Sequence, residues 1–454
     1  MPFNANLLLR SLLDLQGEVT ARRYLVGFSG GLDSTVLTHA LRQAAGRAAP
    51  VVAVHVNHAL QPDAGAWEEH CRRVAEELEV EFIARTVAVA VEQGSGLEAA
   101  AREARYTAIR MLMRDGDVLL SAHHEDDQAE TLLLNLMRGS GVAGLAGIGA
   151  SQPFGPGLLI RPMLKVSRGD IERYAKEFEL QWIEDPSNLD LRFDRNYLRE
   201  EILPRLRQRW PAVTARLSHS AELAGEAARL QDELAWLDLR ALVATADDDV
   251  AAAPERLEIA GLAKLSPARQ RNVLRCAIRA CGLPQAPASR LRQIQDELLT
   301  AREDARPLVR WPGAEVRRYR TKLYLRKASK QGGAAEAATP LVLYGDGQDT
   351  SLGPLGVLRL ERAVGPGIDP ELVARGLTLR FRSGGEKIRP YGRKDTRPLK
   401  KLLQEHGVVP WMRQNLPLLY ADDTLVAVAD LWIAADCARD GGFRLRWRSK
   451  PSIF

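Results

Sequence analysis

Residues 24–35 read Tyr24-Leu25-Val26-Gly27-Phe28-Ser29-Gly30-Gly31-Leu32-Asp33-Ser34-Thr35, and the fold is decided here. The apolar run from Tyr24 predicts a strand, the adjacent glycines turn the backbone, and Ser34 opens an apolar-periodic helix through Val36, Leu37, Ala40 and Leu41. A loop between a strand and a helix N-terminus directs backbone N–H groups and hydroxyls at phosphate. Glycine is needed where a side chain would block that approach or forbid the dihedrals. The loop is not a Walker A motif, because it has no Gly-Lys-Ser/Thr ending. It carries an acid instead. A carboxylate beside triphosphate repels it unless a divalent cation lies between them, so Asp33 points to Mg²⁺.

Working outward, the first ~210 residues alternate strand-like and helix-like segments, the rhythm of a parallel sheet with crossover helices. Val51–Val56 reads as a strand, Trp67–Leu78 as a helix, Phe82–Val91 as a strand and Leu97–Met113 as a helix. A short strand over Val118–Ala122 precedes a helix from about Glu125 to Met137. In such sheets ligands sit at the carboxyl ends of the strands. The Ser29–Ser34 loop, Asn57-His58 and His123-His124 all follow strands at that edge. From Trp210 to about Arg306 the pattern is helical and alanine-rich, with no readable chemical motif. Gln331–Pro340 reads as a linker, and beyond it short strands and a helix near Pro398–Glu405 predict a small α+β domain. The expected division is 1–214, 215–330 and 341–454.

At 454 residues, 46% hydrophobic and 27% charged, the chain is ordinary for a globular protein. No apolar run approaches the roughly 20 residues that span a bilayer, and the N-terminus lacks the pattern of a secretory signal. Cys71, Cys276, Cys281 and Cys437 include no CxxC pair, so neither a zinc site nor a cluster is expected, and a reducing cytoplasm fits. The net charge of +5 is unevenly placed: Arg380–Arg413 holds ten Lys/Arg against three Asp/Glu, a local balance of +7. One basic patch on a near-neutral chain is the footprint expected for a polyanion partner.

The densest chemical cluster is His123-His124-Glu125-Asp126-Asp127-Gln128-Ala129-Glu130-Thr131. On a continuous helix His123, Asp127 and Glu130 share a face, and His124 and Gln128 share another. A histidine and an aspartate four apart can bind a metal or form an acid–base pair. Acids in a first helical turn also simply favour the helix dipole. Glu98, Arg102 and Arg105 repeat at helical spacing, which by itself describes an exposed ion pair.

Ser29–Ser34 resembles the pyrophosphate loop of the N-type ATP pyrophosphatases, which cleave ATP between the α and β phosphates. The following motifs are more specific in their order: His55-Val56-Asn57-His58-Ala59-Leu60, Glu98 to Tyr106, His123 to Thr131, Arg138-Gly139-Ser140-Gly141, Arg161-Pro162-Met163-Leu164, Asp185-Pro186-Ser187-Asn188 and Arg195-Asn196-Tyr197-Leu198-Arg199. With Gly385–Ile388, Leu399–Glu405 and Pro410–Arg413 near the C-terminus, the set resembles the tRNA(Ile)-lysidine synthetase family. That resemblance implies an α/β fold: a parallel-sheet ATP-pyrophosphatase domain (adenine nucleotide α-hydrolase-like), a helical middle domain and a small α+β tRNA-binding domain.

The resemblance further implies an ATP-dependent carbon–nitrogen ligase. Its substrates are ATP, free L-lysine and the cytidine at the first anticodon position of tRNA(Ile) with a CAU anticodon. By that likeness Ser29, Gly30, Gly31, Leu32, Asp33 and Ser34 bind ATP, and Asp33 and Asp127 hold Mg²⁺. Asp33, His123, Asp127 and Arg195 carry catalysis, with His123 or Asp127 as base or orienter for the lysine amine. Glu98, Arg102 and Arg105 shape the lysine or cytidine pocket. Arg393, Lys394, Lys400, Lys401 and Arg413 grip tRNA phosphates, while Trp411 either stacks or, more in keeping with its surroundings, fills the core. Two rivals are a tRNA thiolase, which the missing CxxC disfavours, and an idle tRNA-binding protein, which the intact Asp33, His123 and Asp127 disfavour.

Overall fold

A computed structural model describes residues 2–45, 49–58, 64–89, 97–243, 254–302, 305–328, 341–345, 347–451 and 453. The linker expected at 331–340, Ala59-Leu60 of the second motif and the end of the strand expected to reach Val91 lie outside these residues. The chain forms two compact units, Met1–Leu237 and Asp238–Phe454.

The first unit starts with α1 (Ala5–Gln16), β1 (Arg23–Gly27), α2 (Leu32–Ala45), β2 (Val51–Asn57), α3 (Ala64–Glu77), β3 (Glu81–Thr86), α4 (Leu97–Leu112), β4 (Asp117–Leu120) and α5 (Glu125–Met137). It continues with α6 (Val142–Leu145), β5 (Ser151–Phe154), β6 (Gly157–Ile160), α7 (Arg168–Glu177), α8 (Asp194–Tyr197), α9 (Leu203–Arg209) and most of the 31-residue α10 (Val213–Val243), whose last residues fall in the second unit. The sheet runs β3-β2-β1-β4-β6-β5. Every neighbouring pair is parallel except the edge strand β5, which returns antiparallel to β6.

Both sheet faces are covered, which is why these strands read as continuous apolar runs rather than alternating ones. Tyr24, Val26, Val118 and Leu120 pack on one side with Leu8, Leu12, Leu37, Val74 and Ile171, that is, against α1, α2, α3 and α7. Leu25, Leu119, Val52 and Val54 pack on the other with Ile109 of α4. The strand period of two thus sorts alternate residues of β1 and β4 into two cores. At the amino-terminal end, Arg23 of β1 donates from Nε and Nη2 to the Asp117 carboxylate of β4 at 2.8–3.0 Å.

The second unit carries an antiparallel sheet of β7 (Arg256–Glu258), β8 (Leu308–Trp311), β9 (Ala314–Tyr319) and β10 (Lys322–Lys327), in the order β7-β10-β9-β8. The helices α11 (Ile259–Ala263), α12 (Pro267–Ala280) and α13 (Ala288–Gln293) accompany it. Residues 341–448 form two further five-stranded antiparallel sheets, with the helix Leu399–Glu405, around Leu360, Leu379, Leu402, Leu418, Val426 and Trp447. Trp411 is partly buried and packs edge-on against Tyr319 and Tyr324, so it belongs to this core.

Candidate active site

The glycine turn after β1 is built by contacts around it. Phe28 donates its N–H to Val54 O at 2.9 Å, extending the β1–β2 pairing by one residue. Gly30 then takes φ +76°, and a Cβ there would lie 2.7 Å from Cys71 Sγ. Both conformation and space therefore demand glycine. The buried Cys71 thiol, pushed up to about 12 by burial and then by Glu68, is packing beneath the loop rather than a nucleophile. Ser34 ties the loop together: its Oγ accepts from Ser29 N at 3.2 Å and donates to Gly31 O at 3.0 Å, with Ser29 Oγ at 3.1 Å. The helix begins at Leu32, two residues earlier than the sequence suggests, so Asp33 stands in its first turn.

The second wall follows β4. The helix α5 begins at Glu125, so His123 lies before it and His124 is its N-cap. The expectation that His123 and Asp127 share a helical face is therefore corrected: it is His124 that stands between the two carboxylates. His124 Nδ1 accepts from Asp126 N, Asp127 Oδ2 accepts from His124 N at 3.0 Å, and the two interactions form a reciprocal cap. The outward His124 Nε2 lies 3.7 Å from Asp33 Oδ2 and 3.7 Å from Asp127 Oδ2. Burial opposes charge on this imidazole, but the Asp33 contact and the nearby acids raise its pKa overall. Burial would also raise Asp127, yet His124, His123, the His124 amide and Arg199 hold its carboxyl below the ordinary value. Gln128 faces elsewhere and exchanges two hydrogen bonds with the Ile148 backbone.

Arginines close the cluster from the α7–α9 region. Arg168, the first residue of α7, donates to Asp33 Oδ1 at 2.8 Å. Arg199 donates from Nε and Nη2 to Glu130 at 2.7 and 3.0 Å and reaches Asp127 Oδ1 at 3.4 Å. Glu130 is 0% exposed, and its pKa is raised by burial despite the Arg199 contact. Arg195 donates to Thr131 Oγ1 at 2.9 Å, and its buried Nε lies 3.5 Å from Glu130 Oε2 without a hydrogen bond.

His123 faces a different space. It borders a cavity of about 340 Å³ with Ser29, His58, Arg102, Arg105, Tyr106, Ser121 and Asp185, floored by Val54, Val56, Ile109 and Leu119. Its Nδ1 sits 2.7 Å from Ser121 Oγ. Burial pulls its pKa down to about 4, so the ring is neutral at pH 7. Arg105 donates to His58 Nε2 at 3.3–3.4 Å across the cavity wall. Glu98 belongs to α4, but its side chain lies outside the described residues.

Among the expected tRNA-binding residues, Arg393, Lys394, Lys400 and Lys401 are exposed, and Arg393 approaches Glu405 at 3.8 Å. Arg413 is corrected. It is 7% exposed, with Nε donating to Val408 O at 2.9 Å and Nη2 to Tyr319 Oη at 3.0 Å. Its guanidinium braces the interior of the second unit, with two nitrogens engaged there and little of the side chain open to a phosphate. Sequence reasoning assigned no individual role to Arg168, Arg199 or His124. Arg199 closes the Arg195–Arg199 motif and Arg168 follows the Arg161–Leu164 motif, so proximity to quoted motifs was the available signal.

No group of three or more His, Cys, Asp or Glu side chains suited to a metal occurs among the described residues. Asp33 and Asp127 nevertheless flank one nitrogen. A magnesium site commonly takes one or two carboxylates and fills its remaining positions with phosphate oxygens and water, so this donor set fits Mg²⁺ better than zinc. Among the described residues no helix is long and apolar enough to cross a membrane.

A glycine turn at the carboxyl end of a central parallel strand, facing an acid-bearing helix cap, defines an ATP-using PP-loop protein, and residues 5–206 match the PP-loop domain family. Residues 257–324 match the TilS substrate binding domain and residues 377–447 the TilS substrate C-terminal domain. The chain is 42% identical over 407 residues to the tRNA(Ile)-lysidine synthase of Coxiella burnetii, covering 89% of this chain and 88% of that protein. It is also 42% identical to the enzymes of Methylococcus capsulatus (91% and 93% covered) and Pseudomonas aeruginosa (93% and 93% covered). The chain belongs to the tRNA(Ile)-lysidine synthase family.

Proposed function

We propose that this chain uses ATP to join the ε-amine of free L-lysine to C2 of the cytidine at the first anticodon position of tRNA(Ile) with a CAU anticodon. The observation that carries the reading is the cluster of Asp33, His124 and Asp127 beside the Ser29–Ser34 loop, in a chain that also matches both substrate domains of the family. In the first step the cytosine O2 attacks the α-phosphorus, the α–β bond breaks and pyrophosphate leaves. In the second, the lysine amine attacks C2, the C2–O bond breaks, AMP leaves with that oxygen and the amine loses a proton.

Ser29, Gly30, Gly31, Leu32 and Ser34 cradle the phosphates, with loop amides and hydroxyls at the start of α2. Asp33 and Asp127 would hold Mg²⁺, which would neutralise charge accumulating on the pyrophosphate. Arg195 and Arg199 bring positive charge to the same edge and stabilise the transferred adenylyl group. The neutral His123, fixed by Ser121, accepts a hydrogen bond from the incoming amine and aims its lone pair at C2. Lysine's amine must be free of its proton to attack, and the cavity that His123 borders is where the deprotonated amine is held. Arg102 and Arg105 border the cavity where the lysine or cytosine sits, and Glu98 joins them by its place on α4.

An anticodon base is single-stranded, so placing it in the cavity costs little beyond unstacking. The exposed Arg393, Lys394, Lys400 and Lys401 supply a salt-sensitive grip on the tRNA backbone. A cytoplasmic setting suits a tRNA substrate and free cysteines. The test is release of AMP and pyrophosphate from ATP with tRNA and lysine present or withheld. The proposal expects pyrophosphate release to depend on tRNA. Tight tRNA binding without turnover of ATP contradicts it and favours an idle binding protein.

A further inference from the structure

The carboxylates around His124 are each met by an arginine. Arg168 contacts Asp33, Asp33 and Asp127 each lie 3.7 Å from His124 Nε2, and Arg199 contacts Asp127 and Glu130. Each carboxylate assigned to the cation is thus already paired with an arginine. The two arginines are held differently. Arg199 has a second, stronger partner in the fully buried Glu130, and it keeps that partner when Asp127 turns to a metal. Among the described residues Arg168 has Glu172 besides Asp33, an exposed partner one helical turn away at 3.1 Å. Arg168 is also the first residue of α7, after the Ser167 cap, and its side chain is 42% exposed. The helix does not depend on where that side chain points.

We infer that Arg168 is a placeholder for the cation and then a ligand of the departing pyrophosphate. While the loop is empty it neutralises Asp33; when the cation takes Asp33, it moves to the pyrophosphate oxygens. The inference rests on the proposed function for the nucleotide and the cation. Arg168 engages Asp33 Oδ1 at 2.8 Å, and a Mg²⁺ on either oxygen of that same carboxylate would sit close to the guanidinium, so the two positive charges repel and compete for Asp33. A displaced guanidinium keeps only its Nε contact with Glu172, so its Nη donors are open to water or to a second anion. The anion that arrives with the cation is the phosphate chain, which Arg engages with paired donors. Arg173 on the same helix is already committed to Asp170 at 2.7 Å. Arg168, in the first turn of α7 and in contact with Asp33, is the α7 cation at the loop, whereas Lys176 lies in the last turn.

The test uses the full-length protein without tRNA. Mn²⁺ binding is followed by loss of its free electron-paramagnetic signal, and binding of inorganic pyrophosphate in Mg²⁺ by calorimetry. Arg168→Gln is expected to bind Mn²⁺ about threefold to fivefold more tightly in the absence of nucleotide, since a half-exposed ion pair no longer competes. The same variant is expected to bind pyrophosphate about tenfold more weakly, the loss of a charged hydrogen bond. Arg168→Lys, which keeps a point charge, recovers part of the pyrophosphate affinity. Arg173→Gln removes the same charge from the same helix and changes neither quantity. Unchanged or weaker Mn²⁺ binding in Arg168→Gln overturns the placeholder role, and unchanged pyrophosphate affinity overturns the ligand role. If those results come with wild-type protein that makes lysidine, the inference alone fails. Wild-type protein that binds neither Mn²⁺ nor pyrophosphate overturns the functional reading as well.

Discussion

Replacing Asp33 with asparagine keeps the side chain's size and removes its charge. In the folded protein this loses a 2.8 Å contact with Arg168 and a 3.7 Å approach to His124, at a carboxylate whose side chain is 31% exposed. Pairs that wet contribute about 0–1 kcal/mol, so the melting temperature should fall by a few degrees at most. The loss to catalysis should be far larger. Asp33 is assigned to hold charge against a leaving pyrophosphate, and removing one preorganised electrostatic contact of that kind costs about 3–4 kcal/mol, or roughly 10²–10³ in rate. The assay is tRNA-dependent pyrophosphate release from ATP, read beside a thermal melt and tRNA binding by filter retention. The expected result is a rate down by at least about a hundredfold, with folding and tRNA affinity near wild type. A rate within tenfold of wild type refutes the role of Asp33, and a collapse of the melting temperature would show that its charge is structural.

Four other outcomes are expected. Gly30→Ala should destabilise the protein by about 1–2 kcal/mol and slow adenylation, because φ is +76° and the new Cβ meets Cys71 Sγ. Cys71→Ala in the same chain should recover part of the stability, and no recovery on the melt would refute the clash. Asp117→Asn should cost about 2–4 kcal/mol at pH 7, since the 2%-exposed carboxylate holds the Arg23 fork and the Arg114 amide. These contacts lower the folded carboxyl's pKa against the opposing effect of burial, so the gap between variant and wild type should be full above about pH 4 and vanish as pH falls through the depressed value; a gap constant down to pH 2 in denaturation curves contradicts it. Lys400→Ala with Lys401→Ala should weaken tRNA binding and reduce its salt slope by about 2, whereas Arg413→Gln should lower the melting temperature of the second unit first.

The sheet of the first unit was legible because its strands are buried on both faces and its glycine turn has a definite chemical sense. The helix Glu125–Met137 has about the bounds its sequence suggests, and the structure adds His124 as its cap. Its start was also the source of an error: helical spacing was extended back to His123, which the cap leaves outside. The strands Leu308–Lys327 were not read, because apolar residues there alternate with arginines such as Arg310, Arg317 and Arg326, and charge masks a period of two in an arginine-rich stretch. Arg413 looked like the rest of a basic run. Only its contact with Tyr319, 94 residues away, reveals an interior guanidinium. Arg168 is the same problem in reverse: its partner Asp33 is 135 residues distant, and no local pattern announces it.

The most direct measurement is nucleoside analysis of tRNA after incubation with this protein, ATP and isotopically labelled lysine. The expected product is lysidine at the first anticodon position of a CAU-bearing isoleucine tRNA transcript, with AMP and pyrophosphate formed in equal amounts. Absence of label in that nucleoside, or equal labelling of a transcript whose first anticodon base is changed from C to U, would contradict the account.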